Sequence, residues 1–163
     1  MSNHYIRFGT ATIKEIVDAV LENQTLPFNL RKKLKLQGHK VGIGSLRLVT
    51  FAKACKDGKI HCVGCGLEAS FFSIDSFYAV GDKTSAHLNL YGRKPDQFGV
   101  EQDVLFTHDH ILARALGGVD SLENTQVMCS PCNNKKSRVE NKLAVKMKAE
   151  KEALLNPVDP KTE

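Results

Sequence analysis

Tryptophan is absent from the sequence, and aromatic residues of all kinds make up only 7% of it. A surface that stacks successive unpaired bases needs a set of exposed rings. None stands out here: Phe71, Phe72, Phe77 and Tyr78 sit in apolar stretches and are expected in a core. Also missing is any apolar run near the ~18 residues that mark a membrane-spanning helix, so no membrane partner is expected. Residues 1–10 lack the apolar centre of a secretory signal. The chain is therefore expected to stay where it is made, in the cytoplasm. Acidic charge is in deficit: 18 Asp and Glu against 23 Lys and Arg, a formal net charge of +5. That sign favours anionic partners, nucleic acid first. Cysteines number five, an odd count. Four form the short pairs Cys62/Cys65 and Cys129/Cys132, and Cys55 is left over, expected on the core side of a helix. In a reducing compartment such pairs are metal ligands more often than disulfides.

A length of 163 residues suits one domain with an appendage. Residues 12–23 read as an amphipathic helix with Ile13, Ile16, Val17 and Val20 on one face, opened by a capping box at Thr12 and Glu15. Pro27 breaks the chain, and Ser45 caps a further helix to about residue 56. From Arg31 to Lys59, Asp57 is the only acid among nine basic residues. Residues 1–58 are thus predicted to be a helical, basic N-terminal region, with Arg31, Lys32 and Lys33 as candidate phosphate contacts. Residues 59–155 form the second predicted unit. Strand character appears at 66–75, 85–91, 104–108 and 125–128, with a loop over 92–99 around Pro95. Ser130-Pro131 is the N-cap and first position of a helix to about 155, with Val139, Leu143, Val145 and Met147 as its apolar positions. Residues 156–163 are predicted to be a frayed tail.

The C-x-x-C pairs carry the first chemistry. Two thiolates at that spacing take adjacent corners of a tetrahedron, and two such pairs make a closed four-thiolate zinc site, structural and not catalytic. Gly64 and Gly66 permit the tight knuckle turn that aims N–H groups at sulfur. The pairs are far apart in sequence, so the ion clips two distant segments together. His61 is expected in a strand or turn, with a place near the sulfurs left open.

The second chemistry lies in Phe106-Thr107-His108-Asp109-His110-Ile111, then Gly117-Gly118, Asn124, and Cys129 to Lys136. Hydrolysis of a phosphodiester needs a base that works near neutral pH, which His supplies. It also needs a cation against the developing charge, and Mg²⁺ prefers oxygen ligands. His110 can be that base, Asp109 the carboxylate ligand and Asn133 the amide ligand. His108 is an alternative base and Asn134 an alternative ligand. In a regular strand Asp109 and His110 point to opposite faces, so metal and base would need a bend at the strand end. Lys135, Lys136 and Arg138 follow in the first turns of the last helix, whose N-terminus favours anions.

Residues 61–137, roughly half of the chain, resemble the HNH endonuclease family, especially its phage-type members with two C-x-x-C knuckles. The matching positions are Asp109-His110, Gly117-Gly118, Asn124, Cys129/Cys132, Asn133 and Lys136. The resemblance implies an α+β fold with a ββα-metal (His-Me finger) core: two antiparallel strands and a helix around one divalent ion. It implies His110 as general base, Asp109 and Asn133 as holders of Mg²⁺ or Mn²⁺, and Asn124 as the residue that orients the loop and the base. Arg114 matches a position often basic in the family, a further phosphate contact. Two departures stand out. Asn133 replaces the family's last His, an H-N-N variant, and Ala113 stands where Pro is common. The expected activity is nicking or cleavage of duplex DNA, with double-strand cuts requiring a homodimer. The alternatives are a zinc-dependent nucleic-acid-binding module without catalysis, and a ribonuclease or nuclease toxin on the same core.

Overall fold

The computed structural model describes residues 5–26, 33–77 and 85–155. Arg31, Lys32, Pro27, Tyr78 and the tail over 156–163 lie outside them. The element order is β1 (Tyr5–Ala11), α1 (Ile13–Thr25), β2 (Leu34–Leu36), β3 (His39–Val41), α2 (Leu46–Ala54), β4 (Ala69–Phe77), β5 (Ser85–Pro95), β6 (Glu101–His110), β7 (Thr125–Cys129) and α3 (Ser130–Leu155). The fold is mixed α+β, as the sequence implies.

Local signals set the helix starts. The Thr12 hydroxyl accepts from Glu15 N–H at 3.2 Å, and the Ser45 hydroxyl accepts from Leu48 N–H at 3.3 Å; each satisfies one orphan donor of a first turn. α1 buries Ile13, Ile16, Val17 and Val20, and α2 buries Leu48, Val49, Phe51 and Ala52. Their partner is one face of the sheet, where Phe72 and Ile74 of β4 pair in register with Leu90 and Leu88 of β5. The Phe51 and Phe72 rings lie 6.2 Å apart. Strand alternation gives the other face Phe71, Ser73 and Asp75. There buried Asp75 accepts from Ser73 and Asn89, and the Arg7 guanidinium sits 4.8 Å from the Tyr91 ring centre.

The sheet has seven strands. β1 runs antiparallel to β4, and β2–β3 joins β5 through a short parallel contact at Ser85 and Ala86. The expectation of a helical N-terminal region is therefore corrected. α1 and α2 are present, but so are three strands, and the sheet runs across position 58. Propensity hid them because β1 pairs only with β4, far along the chain, and β2 and β3 are a hairpin of three-residue strands joined to the sheet through β5. The loop expected over 92–99 is likewise shorter. β5 continues to Pro95, drawn out by pairing from Tyr91↔Leu105 to Pro95↔Glu101, with Pro as its last residue.

β6 is shared. Its first half pairs with β5, and its second half pairs with β7 from Phe106↔Cys129 to His110↔Thr125. α3 follows β7 directly. Its 26 residues span about 39 Å at 1.5 Å each, and none is buried. Val139, Leu143, Val145 and Met147, expected as apolar positions, are all exposed, because only the first turns of α3 lie against the strands. No helix among the described residues is long and apolar enough to cross a membrane.

Candidate active site and metal centre

The four cysteines converge where β7 becomes α3. The sulfurs of Cys62, Cys65, Cys129 and Cys132 all lie within 4.8 Å of one another, and those of Cys65 and Cys129 are 3.7 Å apart. A tetrahedron with Zn–S bonds of about 2.3 Å has edges of about 3.8 Å, so the set has the size for zinc. The knuckle is tied to β7 by Val63 N–H donating to Val127 C=O at 3.0 Å. Cys62 Sγ accepts from Gly64 N–H at 3.4 Å and Cys129 N–H at 3.3 Å. Burial pushes the Cys62 thiol up, but the N–H groups of Cys129, Cys65 and Gly64 outweigh it and bring it down to about 7. Burial raises Cys129 and Cys132. Four crowded sulfurs cannot all ionise unaided, and a bound cation is what stabilises them together. The cluster can therefore hold a structural zinc. Cys55 stands apart at the end of α2, half-buried. His61 faces Glu68 at 3.5 Å, on a bridge beside the knuckle.

The paired halves of β6 and β7 lie between α3 on one side and α2 on the other. Thr107 and Asp109 face α3. Asn133 donates to Thr107 Oγ1 at 2.8 Å, and its Oδ1 accepts from Ser137. Asp109 is buried, accepts from Gln126 Nε2 at 2.9 Å, and lies 3.0 Å from Lys136 Nζ. The structure thus brings Asp109 and Asn133 to one strand–helix seam. The seam holds two oxygen-bearing side chains, with the Asp109 carboxylate engaged by the Lys136 ammonium. Lys136, expected among the nucleic-acid contacts, instead points inward. Its ammonium also donates to Glu140 and to His110 C=O, at 2.6 Å each. Burial works against the charge on Lys136, yet Glu140 and Asp109 more than offset it and hold its pKa above the usual value. Lys135 and Arg138 stay exposed on α3.

His110 faces the other way, toward α2. Its strand partner Thr125 meets Thr50 of α2 hydroxyl to hydroxyl at 2.9 Å. His110 Nε2 is 2.5 Å from Asp120 Oδ1. Arg114 closes the group, 2.9 Å from the same oxygen through Nε. The hydrogen bond with His110 holds the Asp120 carboxyl below its usual range, with Arg114 adding to the effect. His108 lies on the same face, ring centres 5.9 Å apart. Burial first, then His110, Arg47 and Arg114, keep it below the ordinary imidazole value. β6 pairs regularly as far as His110, so Asp109 and His110 flank the strand end without the expected bend.

Asn124 organises the connection between β6 and β7. Its amide donates to Leu112 C=O at 3.1 Å and Val119 C=O at 2.9 Å, and its Oδ1 accepts from Leu112 N–H at 2.9 Å. A Cβ at Gly118 would stand 1.8 Å from Leu112 O, so only glycine lets this loop close. Asn134 is exposed on α3. Sequence reasoning missed Thr107, Gln126, Glu140 and Asp120. Strand alternation from Asp109 points to Thr107, the β6–β7 register brings Gln126 opposite Asp109, and the four-residue spacing from Lys136 points to Glu140. Asp120 carries no signal, since the fold of its loop alone brings it to His110.

No curated protein and no solved structure matches the chain. Residues 99–148, which hold β6, the Asn124 loop, β7 and the first turns of α3, match the model described as HNH endonuclease. That segment also holds Cys129 and Cys132 of the cysteine cluster, and over its length the chain is similar to the HNH endonuclease family.

Proposed function

We propose that the protein is a metal-dependent endonuclease that hydrolyses phosphodiester bonds in duplex DNA through a ββα-metal core formed by the second half of β6, β7 and the start of α3. The observation that carries this reading is the placement of Asp109 and His110 at the end of β6, with Asn133 brought from α3 to the Asp109 side.

Asp109 and Asn133 hold the catalytic Mg²⁺ or Mn²⁺. When bound, the ion supplies positive charge against the phosphate and the leaving 3′-oxygen. His110 takes the proton from the attacking water, through the ring nitrogen not occupied by Asp120. Asn124 fixes the loop that carries Asp120 and Arg114. Arg114, Lys135, Arg138 and Lys33 supply phosphate contacts on the described surface. Cys62, Cys65, Cys129 and Cys132 bind a zinc that fixes the start of α3, one residue before Asn133. With one such site per chain, a monomer nicks and a dimer cuts both strands.

A supercoiled-plasmid assay with Mg²⁺ or Mn²⁺ tests the reading. Nicked or linear product is expected, lost with EDTA and in His110→Ala. Activity that survives His110→Ala moves the base to His108. No product with either metal, from zinc-loaded protein, sinks the DNA reading and leaves a binding module or an RNA-directed enzyme.

A further inference from the structure

The face of β6 that carries His108 and His110 opens on a cleft of about 520 Å³, within the size range of ligand sites. It arises at a fork in the sheet. One edge of β5 pairs with β3 at Ser85 and Ala86 and with β6 from Tyr91 onward. Between those stretches no strand among the described residues lies beside that edge. Arg47 of α2 fills part of the gap, donating to Leu88 C=O at 2.7 Å and Asn89 Oδ1 at 2.8 Å. The guanidinium is thus fixed at the fork by two hydrogen bonds, a preorganised positive charge.

The remaining walls come from Ser45 at the head of α2, His87 of β5, His108, and the Arg114–Asp120 pair. Among the described lining residues Asp120 is the only acid, and it is already engaged by His110 and Arg114. The lining thus sets two arginines against one carboxylate, which leaves the cleft one positive charge in surplus. None of the residues on the Asp109 seam lines it. It meets the proposed reaction centre only through the His110 side.

We infer that this cleft seats the sugar–phosphate backbone of the nucleic-acid strand next to the scissile phosphate. The inference rests on the nuclease reading above. A phosphate placed at the end of β6, between Asp109 on one face and His110 on the other, sends its strand past one face or the other. Across the Asp109 face stands α3. The His110 face has an open, positively charged channel whose wall is built by residues 42–48. Contacts of this kind are made to backbone, so they add affinity without selecting sequence, and they weaken as salt rises.

The test measures binding of fluorescein-labelled duplexes of unrelated sequence by anisotropy, with Mg²⁺ present and in a His110→Ala background. Ser45→Asp is the probe. Asp caps a helix as well as Ser and suits its N-terminus, so thermal stability should hold or rise while the carboxylate repels phosphate. The expected result is a Kd raised about fivefold or more on every duplex at low salt, with the difference shrinking as salt increases. Ser70→Asp, exposed on β4 beside a separate hollow, should bind like the parent. If Ser45→Asp does not fold, His87→Asp places the same charge in the cleft. Parent-like binding by the folded cleft variant would overturn the cleft while leaving the nuclease reading intact. Failure of the parent itself to bind any duplex would overturn both.

Discussion

Lys136 Nζ lies 3.0 Å from Asp109 Oδ2, a contact from α3 to β6 across the seam that also holds Asn133. The ammonium is shared with Glu140, so Asp109 is buried beside a cation that the chain itself supplies. Replacing Lys136 by Met leaves that carboxylate with Gln126 alone. In EDTA the variant should lose about 1–3 kcal/mol of stability, the cost of under-satisfying a buried polar group. Adding Mg²⁺ or Mn²⁺ should raise its melting temperature more than that of the parent. Equal responses to the ion, read by thermal melts, would place metal binding away from Asp109.

Asn124→Ala removes three hydrogen bonds that close the loop between β6 and β7. The loop carries Asp120 and Arg114 to His110, so the proposed base loses its fixed surroundings while the Asp109 seam is untouched. Plasmid nicking should fall about 100-fold, the scale of a small misplacement of reacting groups, with ion binding by calorimetry unchanged. Full activity in this variant would remove Asn124 from the machinery.

Mass spectrometry under native conditions should find one zinc per chain, and none in Cys132→Ser. A loss of about 3 kcal/mol on stripping the metal would lower the melting temperature by about 6–12 °C for a chain of this size. Nicking should fall with it, because the start of α3 carries both Cys132 and Asn133. A zinc-free protein with an unchanged melting curve would contradict the staple.

The turn between β5 and β6 gives a pH prediction. Asp96 accepts from Val100 N–H and Phe98 N–H, and these bonds hold its carboxyl below the ordinary 3.8. A carboxyl with a depressed folded value stabilises the turn above the unfolded value and loses that effect as pH falls below it. The amide shifts of Phe98 and Val100 should therefore titrate together with a midpoint under 3.8. Asp96→Asn keeps an acceptor oxygen and should abolish the transition. Shifts that stay flat in the parent would show that the carboxylate does not order this turn.

Much of the site could be read from the sequence because its chemistry is local. The C-x-x-C pairs, the adjacency of Asp109 and His110, and the start of α3 at Ser130-Pro131 are short-range signals, and the caps at Thr12 and Ser45 are equally so. What escaped depends on distant pairing. β1 is a strand because β4 lies beside it, and Arg47 faces the cleft because β5 is left open between two partners. The inward turn of Lys136 follows from Asp109 and Glu140 meeting across two elements. The apolar positions along α3 stay exposed because the helix runs past its support.

The shared strand β6 stores the site's handedness at a distance. Because strand side chains alternate, a slip of one residue against β5 would send Asp109 toward α2 and His110 toward α3, exchanging the proposed metal and base sides without changing a single residue. The pin against that slip is Phe106, fully buried where β6 passes from β5 to β7. It fits only because Gly92, which pairs with Val104 two residues before it, lacks a side chain: a Cβ at Gly92 would come within 2.8 Å of the Phe106 ring and 2.7 Å of Glu68 O. An absent methyl group on β5 thus acts as the reading frame for the reaction centre at the far end of the next strand.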